Sequence, residues 1–405
     1  MSARIVAVLA VCLALLAPSA APAAAQTLPQ PAPPTAHTAP QAYTAPQAQA
    51  SPTEPPVYDP GPLTDGSAPP ELPAEAWILV DLNTGDVLAA HEPELPHPPA
   101  STIKLLTGLA LVEELDDPEA EQEAVFEDMA VDGTKVGIVQ QNDYTIGDLF
   151  HAMLMSSAND AAHSLGEAVG GQERAVELMN AKAAELGLTG TLARDTAGLN
   201  DTEQHTTVTD LVRIGNAVLA DDYLMEVIGT TEYDFPGAVN PDTDEENPGY
   251  PIANHTRVVG EVDGGLGLKN GFTRKAGGSF VAVVERDGTR LASAVLGAQT
   301  HTRDGAVDLI EWGFAQSSPA PVSRLDLRTP AEAEEEARAE EASAREAEEA
   351  AAQESPAAEE AAEARLPLTA PAWLGLLGIG GAVLVLVVLA ALLRGLRGRS
   401  RAPRH

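Results

Sequence analysis

The chain has 405 residues and a formal net charge of −36, from 60 acidic and 24 basic side chains. Such a balance excludes nucleic acid and anionic lipid headgroups as partners of its general surface, since both would be repelled. The one cysteine, Cys12, lies in the N-terminal apolar stretch, so disulfides, thiol catalysis and cysteine metal sites are excluded from everything after it.

Residues 1–25 read as a secretory signal: Arg4 precedes an apolar run from Ile5 to Leu16, and small residues lead to Ala23-Ala24-Ala25. Residues 26–73 are rich in Pro, Ala, Gln and Thr, with near-copies of Thr-Ala-Pro-Gln-Ala at 38–42 and 44–48. Such a stretch buries too little apolar surface to offset its ordering entropy and is expected to be a disordered linker.

Folded sequence is expected over 74–316. Trp77-Ile78-Leu79-Val80 and Val87-Leu88-Ala89 read as strands around an Asn83-Thr84-Gly85 turn. A helix follows from Ser101, and apolar residues at helical spacing predict helices into Ser156, from Asn159, and over Arg174–Leu186. Phe280–Val284 and Leu291–Leu296 flank Arg286-Asp287-Gly288, a strong hairpin signal, and Val307–Phe314 predicts a closing helix. The order implies an α+β domain, an antiparallel sheet built from both ends with a helical block inserted.

Residues 317–365 are expected to form an acidic stalk. Ala331–Glu354 is nearly all Ala, Glu and Arg, without a large apolar stripe, and predicts a solvated helix that Pro356 should end. Residues 366–393 carry no charge, and roughly 20 apolar residues cross a bilayer, so one transmembrane helix is expected there. Arg394, Arg397, Arg399, Arg401 and Arg404 follow, as in a cytoplasmic tail spanning 394–405. A cleaved signal with this span would place the domain on the outer, cell-wall side of the membrane.

Chemistry centres on Ser101-Thr102-Ile103-Lys104, placed at a helix start by Pro98 and Pro99. One turn apart, Lys104 can face the Ser101 hydroxyl and act as its base once burial lowers its pKa. A helix-capping serine with a surface lysine is the plain alternative. Two further patterns decide between them, Ser157-Ala158-Asn159 and Lys269-Asn270-Gly271.

In these three motifs the chain resembles the D-alanyl-D-alanine carboxypeptidases among the low-molecular-mass penicillin-binding proteins, a group that pairs Ser-x-x-Lys with Ser-x-Asn and Lys-Thr-Gly. Trp77–Asp81, Asn159–Ala162, Gly267–Lys269, Gly271–Thr273 and Trp312–Phe314 are similar to landmarks of that family. The resemblance implies a β-lactamase/transpeptidase-like fold and Ser101 as acyl-ester nucleophile with Lys104 as base. It also implies Ser157 as proton relay and Asn159 as ligand of the substrate amide, though both could cap a helix. Lys269, Asn270 and Gly271 would bind the substrate carboxylate, and the backbone N–H groups of Ser101 and Phe272 would form the oxyanion hole. Lys269 could otherwise be a surface lysine, and the Phe272 side chain could be core. Arg303 is the nearest match to an arginine the family places by the carboxylate, with a surface arginine as the alternative.

The implied partners are peptidoglycan stem peptides ending in D-Ala-D-Ala, and β-lactams as inhibitors. No cofactor or metal is implied, and the nine histidines show no ligand spacing. Asn270 stands where the family has Thr. Rival readings are a class A-like β-lactamase and a non-catalytic wall-peptide binder. For the first, Asp195–Asn200 carries Thr196 where a deacylating glutamate would stand, with Asp195 beside it.

Overall fold

A computed structural model describes residues 68–200, 202–300, 302–316 and 320–363, with side chains as far as 350. The signal, most of the linker, the 366–393 span and the tail lie outside the described residues.

The first hairpin pairs β1 (Ala76–Asp81) with β2 (Asp86–His91), and a 3-10 turn over Ala100–Ile103 leads into α1 (Lys104–Val112). The expected helix start is therefore split, with Ser101 on the tight turn and Lys104 opening the α-helix. The inserted block then holds β3 (Glu121–Glu123), α2 (Phe126–Ala130), β4 (Asp143–Thr145), α3 (Ile146–Met155), α4 (Asn159–Ala168) and α5 (Gln172–Glu185). It closes with α6 (Val208–Val218) and α7 (Asp222–Gly229). A small lobe of short strands follows, β5 (Glu232–Phe235), β6 (Ala238–Val239), β7 (Glu246–Asn247) and β8 (Tyr250–Ala253). The chain then returns to the sheet as β9 (Gly265–Thr273), β10 (Gly277–Arg286) and β11 (Thr289–Ala298), and α8 (Thr302–Ala315) packs behind them.

The main sheet has the order β12-β2-β1-β11-β10-β9, where β12 is Ser323–Arg324. Ile78 stands opposite Ala294 in the β1–β11 pairing, which joins the two ends of the domain as the sequence predicts. Alternate side chains go to opposite faces of a strand. Ile78, Val80, Val281 and Val283 join the core under the helical block, whereas Leu79, Phe280, Ala282 and Val284 pack with Leu309 and Ile310 of α8. Both faces are covered, which is why these strands read as continuous apolar runs rather than alternating ones.

The small lobe was not legible in the sequence, because strands of two to four residues are too short to carry a periodicity. It clasps the segment before β4: Tyr250 donates to Val136 O at 2.8 Å, and Asn142 both donates to and accepts from Val239. After α8, residues 320–329 add β12 to the β2 edge, and Arg324 donates to Thr84 O at 2.7 Å. Thr329 and Glu332 cap α9 (Pro330–Glu363). This helix runs on through Pro356, contrary to the expected stop. A proline forfeits one helical hydrogen bond, and here strong helix formers flank it on both sides. Its 34 residues make a rod of about 51 Å. No helix among the described residues is long and apolar enough to cross a membrane.

Candidate active site

The turn carrying Ser101 is wedged between β9 and the 195–200 segment. Pro99 O accepts from Thr102 Oγ1 and from Ser279 Oγ, each at 2.7 Å, which ties the turn to itself and to β10. Ala100, fully buried, takes a φ of +48°, a conformation that packing on all sides must enforce. From that turn Ser101 Oγ accepts a hydrogen bond from Lys104 Nζ at 3.0 Å. No side chain caps this turn or α1, so the capping alternative for Ser101 is set aside.

Lys104 is wholly buried, and its ammonium also donates to Asn159 Oδ1 and Ala197 O, both at 2.7 Å. Burial lowers its pKa to about 7, with the carboxylates of Asp195 and Asp160 pulling the other way. A lysine poised there is part neutral at neutral pH and can accept the proton of the serine beside it. The sign is that of a base: acylation by a β-lactam should rise with pH through a midpoint of about 7 rather than near the ordinary 10.5. Stopped-flow acylation between pH 5 and 10 measures this, and a midpoint above 9 would remove Lys104 from the role of base.

Two carboxylates that the motifs did not flag build the walls. Asp195 accepts from the backbone N–H groups of Ala197, Gly198, Leu199 and Asn200, and so folds the segment that aims Ala197 O at Lys104. Asp160, fully buried, accepts from the N–H groups of Val136, Gly137 and Ile138. Its neighbour Asn159 donates from Nδ2 to Asp132 O and from its backbone to Thr134 O, each at 2.7 Å. The start of α4 therefore holds the 132–138 segment and Lys104 together. Sequence carried a faint signal for both: an Asp a few residues before a Gly, and an Asp next to the motif asparagine.

Ser157 is buried, with φ +64°, in the turn between α3 and α4. The α4 N-cap is Ala158, with no side-chain cap bond, so neither Ser157 nor Asn159 serves as a cap. Ser157 is not among the three acceptors of Lys104.

Lys269 is fully buried on β9 and is no surface lysine. Its pKa is pushed well down, first by burial and then by the charge of Lys104. For Lys104 the lowering comes from burial, not from Lys269. Lys269 Nζ donates to Asn270 O at 2.9 Å and to Asn270 Oδ1 at 3.3 Å. That engages the amide oxygen of Asn270 and leaves its NH₂ as the donor at the position where the family has a Thr hydroxyl. A Cβ on Gly271 would lie 2.6 Å from Ser101 N, so β9 meets the nucleophile turn backbone to backbone. The Phe272 ring is 68 % exposed and is not core.

Arg303 departs from expectation. It donates to Arg257 O and pairs with Glu261 and Asp304. Apart from its neighbour Asp304, these partners lie in the segment before β9, and none of them is Ser101, Lys104 or one of residues 269–272. The first turn of α8 aims it there, a direction that spacing along the chain cannot reveal.

A serine hydroxyl paired with a buried lysine, beside the edge strand of a three-layer α+β domain, is the arrangement of the serine acyl-transferases that the motifs resemble. The D-alanyl-D-alanine carboxypeptidase family profile of S11 peptidases matches residues 64–300. D-alanyl-D-alanine carboxypeptidase DacB2 of Mycobacterium tuberculosis is 35 % identical over 269 residues, covering 64 % of this chain and 89 % of that protein. DacC of Escherichia coli is 29 % identical, and the match spans 60 % of this chain and 62 % of that longer relative. Among solved structures, the M. tuberculosis H37Rv D-alanyl-D-alanine carboxypeptidase aligns with TM-score 0.58 at 34 % identity, covering 64 % of this chain and 97 % of that one. The Streptomyces K15 DD-transpeptidase shares the fold, with TM-score 0.57 at 19 % identity over 62 % of this chain and all of its own. The chain belongs to the D-alanyl-D-alanine carboxypeptidase family of S11 peptidases.

Proposed function

We propose that this protein removes the terminal D-Ala from peptidoglycan stem peptides through an acyl-enzyme on Ser101. The observation that carries the reading is the fully buried Lys104, with a pKa of about 7 and its Nζ 3.0 Å from Ser101 Oγ. Ser101 Oγ attacks the carbonyl carbon of the penultimate D-Ala as its proton passes to Lys104. The C–N bond then breaks, and the departing D-Ala amine takes a proton, with Ser157 as the relay. Water hydrolyses the ester, leaving a stem peptide one residue shorter and a free serine. The N–H groups of Ser101 and Phe272 hold the oxyanion, Asn159 offers its remaining amide proton to the substrate backbone, and Lys269 with Asn270 takes the terminal carboxylate.

Keeping a lysine buried at pKa about 7 instead of 10.5 costs on the order of 5 kcal/mol. The cost is full below pH 7 and falls away as pH rises toward 10.5. A protein that only bound wall peptides would have no use for such a group. The β-lactamase reading lacks its base: Thr196 Oγ1 donates to Gln172, and both oxygens of Asp195 are engaged by backbone amides. Acylation by β-lactams with slow release follows. The uncharged stretch 366–393 and the five arginines after it support attachment by a single C-terminal helix, with α9 as stalk and the catalytic domain on the wall side.

Mass spectrometry of a pentapeptide ending in D-Ala-D-Ala tests the reaction. Wild type should yield the tetrapeptide, and Ser101→Ala should yield none. An uncut peptide beside a wild type that takes fluorescent penicillin would leave only a penicillin-binding domain.

A further inference from the structure

Asn270 lies on β9, the edge strand of the main sheet, between the buried Lys269 and the Gly271 that meets the nucleophile turn. Its side chain is partly exposed. Among the described residues, Lys269 Nζ donates to this residue alone, to its backbone oxygen and to its Oδ1. Oδ1 keeps a second lone pair, and Nδ2 has no acceptor among the described residues. The side-chain amide thus presents a donor and an acceptor together.

Positive charge is scarce around it. Burial, and then the charge of Lys104, push the Lys269 pKa well down, which weakens its pull on an anion. Arg303, the cation expected at the substrate carboxylate, is held by Arg257 O, Glu261 and Asp304. Arg274 and Lys275 lie beyond the strand in the β9–β10 turn, Arg274 being ~13 Å further along the chain. A site built for a carboxylate gains from full cationic charge, whereas this one offers a neutral amide first.

Resting on the carboxypeptidase reading, we propose that the site beside Asn270 accepts an uncharged carboxamide in place of the terminal carboxylate, so that peptides ending in D-Ala-D-Ala-amide are also substrates. Asn270 Nδ2 donates to the oxygen of the substrate carboxamide, and Asn270 Oδ1 accepts from its NH₂. A threonine hydroxyl has one proton and a single atom with which to meet both groups. The chemistry is unchanged. Ser101 Oγ attacks the penultimate carbonyl, the same C–N bond breaks, and D-alaninamide leaves with the proton that D-Ala would carry away. The substrates of this class are peptides whose leaving residue has its carboxyl group amidated.

The test uses the full-length protein and one tripeptide, diacetyl-lysyl-D-Ala-D-Ala, as the free acid and as the C-terminal amide. Release of D-Ala or D-alaninamide is followed by mass spectrometry and expressed as kcat/KM. In wild type the acid is expected to exceed the amide by less than about tenfold, the scale of one hydrogen bond to a charged group. A larger ratio overturns the proposal. In Asn270→Thr the ratio should rise by about as much again, because the hydroxyl frees Lys269 from Oδ1. Asn270→Ser, the second variant, should change it in the same direction, and fluorescent penicillin verifies in each that Ser101 is acylated. A ratio unchanged in both labelled variants overturns the proposal too. Failure of wild type to cut either peptide overturns the carboxypeptidase reading itself, a result distinct from cleavage of the acid alone.

Discussion

Lys104→Ala is expected to lower acylation of Ser101 by β-lactams and cleavage of D-Ala-D-Ala peptides by ~10²–10⁴-fold, the usual contribution of a positioned base. The lysine is the one titratable group hydrogen-bonded to Ser101 Oγ among the described residues. Lys104→Arg should not restore the rate, because a guanidinium does not give up its proton at any workable pH. Time-resolved labelling with fluorescent penicillin, with circular dichroism to verify folding, measures both variants. A folded Lys104→Ala protein labelled within tenfold of wild type would show that another group takes the serine proton.

Gly271→Ala should be nearly as damaging although it removes no functional group. The added methyl would sit 2.6 Å from Ser101 N, 3.1 Å from Thr102 N and 2.5 Å from Ser279 Oγ. Backbone atoms on the nucleophile turn cannot swing aside as a flexible side chain could, so β9 must move away from Ser101. Both proposed oxyanion donors lie on the two pieces forced apart, and loss of one such donor typically costs ~10²–10³ in rate. Gly229→Ala, where an added Cβ meets nothing within 4 Å, is the matched control. The comparison is kcat on a D-Ala-D-Ala peptide, and a Gly271→Ala rate within threefold of the control would mean that the strand and turn need no such close contact.

Much of this domain was legible before any coordinates. Apolar runs placed β1, β2, β10 and β11, and Arg286-Asp287-Gly288 marked their hairpin, because burial on both sheet faces leaves a continuous signal. Ser101, Lys104, Asn159 and Lys269 were identified from short motifs, since each contributes a side chain whose type the chemistry demands. The environment of these residues was less visible. Lys104 and Lys269 could each have been a solvated lysine, and only burial separates those cases. Phe272 was open between core and surface, and it proves exposed at the edge of the sheet. Arg303 had a suitable position along the chain yet points to Arg257 and Glu261.

The walls of the site were least legible of all. Asp195 and Asp160 act by accepting hydrogen bonds from backbone amides, and every residue but proline has such an amide. Ala197 contributes only its carbonyl oxygen, so no residue type could announce it.

By itself, then, the sequence determined the chemistry: a serine, its lysine, an asparagine and a second lysine in order, on an α+β framework of known polarity. Residue types and periodicity suffice for that, because nucleophile, base and apolar face are local properties. Tertiary structure alone decided that Lys104 is dry enough for a pKa of about 7. It also decided which carbonyls hold that lysine and which groups Arg303 pairs with. These depend on distances between segments separated by up to a hundred residues along the chain, on the scale of Lys104 to Ala197, and desolvation exists only once those segments have packed.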